Sequence, residues 1–121
     1  MKYYATLSSM STLQTSYQVT VQTNERCTVE RTVDVIGGKW TTLILRDLLG
    51  GTRRFGELRS ALDGISPKTL TERLRELEAC GVLTRTIHPE VPPRVEYALT
   101  DKGKALRPVI EAMAAWGEAW T

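Results

Sequence analysis

The residues of this sequence that are best suited to chemistry are basic side chains gathered in the middle of the chain. Six of them fall between positions 52 and 75 against three acidic residues, whereas residues 101–121 carry three of each sign. The six are Arg53, Arg54, Arg59, Lys68, Arg73 and Arg75. A basic face of this kind attracts a polyanion, although an ordinary solvated helical surface has the same charge pattern.

The strongest helix start in the sequence, Ser66-Pro67, lies inside this basic segment. Serine is a favourable N-cap, and proline is tolerated in the first turn because its missing N–H has no partner there. The leucines that follow recur at i, i+4 and i+7, which is the spacing of one buried helix face. They are Leu70, Leu74 and Leu77.

The first turn of this helix combines groups that bind phosphate. Ser66 and Thr69 supply hydroxyls and Lys68 an ammonium, beside free backbone N–H groups at the positive end of the helix dipole. Arg73 and Arg75 add forked donors that reach guanine edges or phosphates. A capped surface helix with ordinary salt bridges is the alternative interpretation of the same residues.

The elements around this helix follow the order helix, helix, helix, capped helix, hairpin, final helix. Periodicity predicts helices over 28–36, 39–49, 54–62 and 66–80, with Gly81 ending the fourth. The period then changes to two, which predicts strands over 82–87 and 94–99 joined by a proline-rich segment. Thr100 caps the last helix, in which Pro108 predicts a kink or a restart at Arg107. The order predicts an α+β, mostly α fold, namely a winged helix-turn-helix.

In this fold the helices over 54–62 and 66–80 form the helix-turn-helix pair, and the second of them enters the DNA major groove. The hairpin forms a wing that carries Arg94 beside its tip, where an arginine can reach the minor groove or a phosphate. The candidate phosphate contacts are Arg54, Lys68, Arg75 and Arg94, and the candidate base contacts are Ser66, Thr69 and Arg73.

Several enzyme chemistries are excluded by spacing. Gly37-Gly38-Lys39 suggests a phosphate-binding loop, but that motif requires glycine at 33 and serine or threonine at 40, where this chain has Val33 and Trp40. The single histidine, His88, lies far in sequence from both cysteines, so it predicts neither a metal site nor a nucleophile–base pair. We expect no catalytic residues, no metal, no cofactor and no enzyme activity, and we expect His88 to have no special role.

Length and composition predict one globular domain preceded by an extension. The chain has 121 residues, of which 41% are hydrophobic and 25% are charged, with a net charge of +2. Residues 1–24 contain nine Ser or Thr, one Lys and no acid, which predicts a flexible extension before a domain over 25–121. No apolar run approaches a membrane span. Two cysteines make no disulfide framework, which favours a cytoplasmic protein.

Five segments together resemble the HxlR-type transcriptional regulators, winged-helix relatives of the MarR group. They are Val35-Ile36-Gly37-Gly38-Lys39-Trp40, Arg54-Phe55-Gly56-Glu57-Leu58, Ile65-Ser66-Pro67-Lys68-Thr69-Leu70, Pro92-Pro93-Arg94-Val95-Glu96-Tyr97 and Leu99-Thr100-Asp101-Lys102-Gly103. The resemblance covers residues 27 to about 120. It implies a homodimeric regulator that binds double-stranded DNA at a pseudo-palindromic operator and responds to small molecules or oxidants. A winged-helix module that binds only protein is the alternative function.

The two cysteines have different expected roles. Cys27 precedes a helix N-terminus and has Arg26 and Arg31 nearby in sequence, and both features favour a reactive thiolate. The resemblance implies a redox sensor at this position, and a small residue packed at the domain edge is the alternative. Cys80, near Leu77 and Val82, is expected to be an inert space-filling residue.

The final helix has two apolar sides, and a small domain can cover only one of them. An exposed patch of this size is unusual in a monomer, so the pattern predicts a homodimer through the final helix together with the first. The interface residues expected on the final helix are Leu106, Ile110, Met113, Trp116 and Trp120.

Overall fold

The computed structural model of the chain describes residues 27–121. The predicted flexible extension over residues 1–24 therefore lies outside the described residues. The chain divides into two units, with the boundary between Asp34 and Val35. The first helix, α1 (Thr28–Ile36), crosses this boundary, and the fold described below is that of the second unit.

Three further helices and one short strand precede the wing. They are α2 (Lys39–Leu48), β1 (Arg53–Arg54), α3 (Phe55–Ala61) and α4 (Pro67–Ala79). The predicted helix boundaries agree with these to within a residue or two. The exception is β1, which the sequence pattern did not predict.

The start and the end of α4 follow the predicted signals. Ser66 is its N-cap and Pro67 its first residue, while Leu70, Leu74 and Leu77 are buried. Gly81 has φ +76°, a left-handed conformation that favours glycine. The N–H of Gly81 donates to the Glu78 carbonyl, and the N–H of Val82 donates to the Leu77 carbonyl. These two bonds satisfy carbonyls at the end of α4 that the helix itself leaves unpaired.

The wing is a hairpin of β2 (Leu83–His88) and β3 (Arg94–Leu99), to which β1 adds a third antiparallel strand. The strand order is β1-β3-β2, with Leu83 opposite Leu99, His88 opposite Arg94 and Arg54 opposite Glu96. Strand β2 lies one residue later than predicted, because His88 pairs with Arg94 and so belongs to the ladder.

One hydrophobic core joins the helices to the base of the wing. Its members with side chains wholly or nearly wholly buried come from α2, α3, α4 and β2, and from the residues beside them. They include Ile44, Leu45, Leu58, Leu62, Leu70, Leu77, Val82 and Leu83. Trp40, which we expected to be a core residue, is half-buried against this cluster, and the Lys39 ammonium lies 4.5 Å from the centre of its ring.

The C-terminal segment forms two helices, α5 (Asp101–Lys104) and α6 (Arg107–Trp120). The restart at Arg107 was predicted from Pro108, which lies in the first turn of α6. The expectation that Ile110 is exposed was wrong, because Ile110 is buried and Leu106 is half-buried against the core. An Arg107 guanidinium nitrogen donates to the Leu49 carbonyl at 2.9 Å. This bond ties the start of α6 to the end of α2, against which the first turns of α6 pack.

Candidate nucleic-acid interface

The N-terminal end of α4 is exposed and capped by its own side chains. Ser66 Oγ accepts a hydrogen bond from the backbone N–H of Thr69 at 3.1 Å and donates to Thr69 Oγ1 at 3.0 Å. Ser66 and Lys68 are exposed, while Thr69 is half-buried. Pro67 has no N–H, and the N–H of Leu70 donates to the Ser66 carbonyl, so the N–H of Lys68 is the first-turn donor left without an intrahelical acceptor. The site therefore combines hydroxyls, an ammonium and one backbone N–H donor at the positive end of α4.

The two arginines of α4 differ in their surroundings. Arg75 is exposed. Arg73 is half-buried, and its Nη1 donates to both carboxylate oxygens of Glu76 at 3.1 and 3.2 Å. For Arg73 to contact a base edge, its guanidinium must leave Glu76 or share its donors with it. The free energy of an exposed pair such as this is small, within about 1 kcal/mol, so the pair is no obstacle to binding.

Arg54 is placed at an element boundary, since it ends β1 and is the N-cap residue of α3. Its backbone N–H donates to Glu57 Oε1 at 2.8 Å, which fixes the backbone at the start of α3. The side chain is exposed. In the sheet register Arg54 lies opposite Glu96 of β3, so this basic residue stands beside an acidic one.

The wing arginine is held by two carboxylates. An Arg94 Nη2–Glu90 Oε2 contact of 2.9 Å and an Arg94 Nη1–Glu96 Oε2 contact of 3.6 Å leave the side chain 28% exposed. Arg94 Nε is shielded from solvent and has no hydrogen-bond partner among residues 27–121. The sequence predicts an arginine beside the wing tip, and the structure shows one whose charge is already neutralised by acids.

His88 is part of the same cluster, through a contact that the sequence did not predict. Its Nε2 lies 2.9 Å from Glu96 Oε1, at hydrogen-bonding distance. This hydrogen bond lowers the pKa of Glu96 below its ordinary value; burial opposes the shift, and the positive charge of Arg94 adds to it. His88 and Glu96 are eight residues apart in sequence. They are brought together only by the register of the hairpin.

The wing is also joined to α4 by an ion pair. Arg85 Nε of β2 lies 3.6 Å from Glu78 Oε1 of α4. Tyr97 of β3 is buried near this pair, and its burial raises the pKa of the phenol above the ordinary value of 10.0. Arg85 therefore pairs with an acid of α4 at the surface, a contact that adds little to stability.

Both cysteines are exposed. Cys27 Sγ accepts a hydrogen bond from the backbone N–H of Glu30 at 3.4 Å, as an N-cap side chain does at the start of α1. The expectation that Cys80 is a space-filling residue was wrong, because its side chain is exposed. Cys80 is the C-cap residue of α4, so it lies beyond the last buried turn.

Sequence reasoning missed the cluster of four side chains at the wing, His88, Glu90, Arg94 and Glu96. The alternation of β3 shows that Arg94 and Glu96 lie on one face of the strand. The acidic residues near Arg94 in the sequence could have predicted that its guanidinium forms ion pairs. In residues 27–121 no group of three or more His, Cys, Asp or Glu could hold a metal ion, and no helix there is long and apolar enough to cross a membrane.

The helix pair α3 and α4, followed by a hairpin that packs on the same core, defines a winged helix-turn-helix protein. A family profile described as HxlR-like helix-turn-helix matches residues 35–121. The chain belongs to this family, whose members are transcriptional regulators.

Relatives and solved structures agree with this assignment. An HTH-type transcriptional regulator of Synechocystis sp. is 48% identical over 99 residues, which cover 82% of this chain and 73% of that protein. The reduced form of the redox regulator HypR has a TM-score of 0.73 at 45% identity, covering 75% of this chain and 90% of HypR. A transcriptional regulator of the MarR family from Porphyromonas gingivalis W83 has a TM-score of 0.79 at 37% identity, covering 84% of this chain and all (100%) of that one.

Proposed function

We propose that this transcriptional regulator binds double-stranded DNA in a sequence-specific way, as a homodimer on a pseudo-palindromic operator. The observation that carries the proposal is the N-terminal end of α4, where Ser66 and Lys68 are exposed and the backbone N–H of Lys68 has no intrahelical acceptor. Lys68 and Arg75 supply phosphate contacts, with Arg54 at the start of α3. Ser66, Thr69 and Arg73 supply the base contacts.

The homodimer is supported by the exposed half of α6. Beyond Ile110 the helix buries no apolar side chain, and Met113, Trp116 and Trp120 are 46%, 64% and 74% exposed. At helical spacing these three share one face. Val29 and Val33 of α1 are exposed as well. In the proposal, a second copy covers the exposed face of α6. A two-fold dimer then places its two α4 helices about 34 Å apart, which is one turn of DNA.

The first experiment measures binding to DNA by fluorescence polarisation, using a labelled duplex of mixed sequence. Affinity is expected to fall by orders of magnitude between about 50 and 200 mM salt, because bound phosphates release counterions. Lys68→Ala and Arg75→Ala should each weaken binding. Each should also reduce by about one the magnitude of the slope of log affinity against log salt concentration. Lys104→Ala, which removes one exposed charge from α5, serves as the matched control and should change neither the affinity nor this slope.

Selection of sites from random duplexes then tests specificity. An enriched inverted repeat with half-sites about one helical turn apart is the expected result. Arg73→Ala should relax the preference at one base pair by about 1–3 kcal/mol. The alternative function, a winged-helix module that binds only protein, would instead show no salt-dependent binding of the wild-type protein to any duplex.

We also propose that Cys27 makes DNA binding sensitive to oxidants or electrophiles, with a non-covalent small-molecule effector as the alternative. Two features support it: the exposed Cys27 thiol accepts a hydrogen bond at the N-terminus of α1, and HypR, a similar protein, is a redox regulator with structures of its reduced and oxidised forms. A sulfenic acid, a mixed disulfide or a bridge between subunits each adds bulk or a tether at this position.

The redox proposal is tested by a gel-shift titration with diamide or a quinone. Cys27→Ser should lose the response to the oxidant. Cys80→Ser, the matched control that removes the other exposed thiol, should keep it. Equal responses from wild type and Cys27→Ser would exclude Cys27 as the sensor and would favour the non-covalent effector.

A further inference from the structure

The wing holds its arginine in a cluster whose net charge changes with one proton. Glu90 and Glu96 neutralise Arg94, and His88 is hydrogen-bonded to Glu96. Arg54 of β1, opposite Glu96 in the register, is a further positive charge near this carboxylate. With His88 neutral, these five side chains carry no net charge, and protonation of His88 makes the cluster positive.

We infer that His88 and Glu96 are positioning residues for Arg94, and that protonation of His88 releases the Arg94 guanidinium from Glu96 so that its Nη1 can contact a DNA phosphate. The inference rests on the proposed DNA-binding function and deepens it, because it names a residue pair that regulates the contact made by the wing. Its geometric basis is that Glu96 uses one oxygen for His88 and the other for Arg94, at 2.9 and 3.6 Å.

The competition between the two partners of Glu96 sets the direction of the effect. A charged donor makes a stronger hydrogen bond to a carboxylate than a neutral one, so an imidazolium at His88 holds Glu96 more tightly. The longer Arg94–Glu96 contact is then the one to weaken. Glu90 remains at 2.9 Å as the second partner of Arg94. The added positive charge also attracts phosphate directly, so both consequences strengthen DNA binding as the pH falls.

The sequence makes this titration unusually easy to isolate, since His88 is the single histidine of the 121 residues. Histidine is the side chain whose charge ordinarily changes between about pH 5 and 8. The charged groups that face the His88–Glu96 pair are Arg94 on β3, Glu90 in the wing loop and Arg54 on β1. The pKa of Glu96 is lowered, chiefly by its hydrogen bond with His88, so this carboxyl stays charged across the range in which histidine titrates.

The experiment measures the affinity of the full chain for a labelled duplex of mixed sequence at about pH 5.5, 6.5 and 7.5 and constant ionic strength. Wild type is expected to bind about three- to tenfold more tightly at the lowest pH than at the highest, as uptake of at most one proton per subunit allows. The slope of log affinity against log salt concentration should rise in magnitude by about 0.9 for each subunit that gains one phosphate contact. Circular dichroism at each pH shows that the fold is unchanged.

Three variants separate the cluster from a general effect of acid. His88→Gln keeps a hydrogen-bond donor but cannot ionise, so its affinity should not vary with pH. Glu96→Gln should bind more tightly at the highest pH and show a smaller pH dependence than wild type, because Arg94 is no longer held by Glu96 and only the direct attraction of protonated His88 for phosphate remains. Glu90→Gln, the matched control, also removes an acidic partner of Arg94 and should bind more tightly, but it should keep the pH dependence.

The outcomes distinguish this inference from the function on which it rests. A wild-type protein that binds the duplex equally at all three pH values, or a His88→Gln variant with the wild-type profile, overturns the inference and leaves the proposed function intact. A Glu90→Gln variant that loses the pH dependence also overturns it. A protein that binds no duplex at low salt overturns both.

Discussion

The ammonium of Lys102 donates a hydrogen bond to the backbone carbonyl of Cys80 at 2.6 Å. Cys80 is the C-cap of α4, and Lys102 lies in α5. Thr100, the N-cap of α5, donates to the Gly81 carbonyl at 2.6 Å. Residues just past the wing thus satisfy carbonyls at the end of α4 that the helix leaves unpaired. The proposed recognition helix is therefore held at its C-terminal end by the segment that leads into α6.

Thr100 is expected to contribute to stability through its hydroxyl. Oγ1 contacts the carbonyls of Gly81 and Val82 and accepts from the N–H of Gly103 at 3.2 Å. Thr100→Val keeps the shape but removes these bonds, so unfolding in urea should show a loss of about 1–3 kcal/mol. Thr100→Ser keeps the hydroxyl and should remain near wild type. A Thr100→Val variant as stable as wild type would show that these hydrogen bonds do not contribute to stability.

Gly103 is expected to be intolerant of any side chain. A Cβ at this position would overlap the backbone carbonyl oxygen of Val82 and lie 3.0 Å from Leu99 Cδ2. Because a backbone oxygen cannot move aside cheaply, Gly103→Ala should lower the free energy of unfolding by about 3 kcal/mol or cause misfolding. Gly56→Ala in α3 meets no atom within 4 Å, and it should gain up to about 1 kcal/mol from helix propensity. Similar unfolding midpoints for both variants would contradict this packing.

The helices were predictable because their signals are local. Ser66 and Pro67 are start signals for α4 in any context, and the leucine spacing needs no knowledge of the rest of the chain. The burial of Ile110 could not be predicted from the sequence, because it depends on the packing of α6 against α2. These two helices are far apart in the sequence and meet only in the folded protein. Strand β1 was not predicted because a strand of two residues is too short to show the alternation of apolar and polar residues that identifies strands. The contact between His88 and Glu96 depends on strand register, which the sequence does not display.

Ser66 is expected to separate the stability of α4 from its affinity for DNA. Ser66→Ala removes the N-cap and should cost about 1 kcal/mol in urea unfolding. Ser66→Asp restores a capping oxygen and adds a negative charge at the positive helix end, so stability should be near wild type. The same carboxylate repels phosphate, so Ser66→Asp should bind duplex DNA at least tenfold more weakly. A Ser66→Asp variant with wild-type affinity would show that this helix end does not meet DNA.

Tyr97 is expected to limit stability at alkaline pH. Burial raises the pKa of its phenol above 10.0; Arg85 opposes this shift and Glu78 adds to it. A raised pKa means that the fold favours the neutral phenol, so its contribution to stability is complete below about pH 10 and is lost as pH rises through the folded-state value. Tyr97→Phe cannot ionise. The difference in unfolding midpoint between wild type and Tyr97→Phe should therefore be constant from pH 8 to about 10 and shift in favour of the variant above it. A constant difference throughout would show that ionisation of Tyr97 is not coupled to unfolding.

The exposed face of α6 gives the prediction for assembly. Met113, Trp116 and Trp120 lie on one side of the helix and are largely exposed, whereas Ala115 lies on another side and is exposed too. Met113→Asp should convert a dimer to a monomer in sedimentation velocity at about 10 µM, because burying an unpaired carboxylate costs several kcal/mol.

The matched control for assembly is Ala115→Asp, which adds the same charge to the same helix and should remain dimeric. Dissociation of the Met113→Asp variant should also weaken binding to an inverted-repeat duplex far more than to a single half-site, because only a dimer engages both half-sites at once. A wild-type protein that sediments as a monomer would contradict the proposed homodimer. Dissociation by Ala115→Asp alone would instead place the interface on the opposite side of α6.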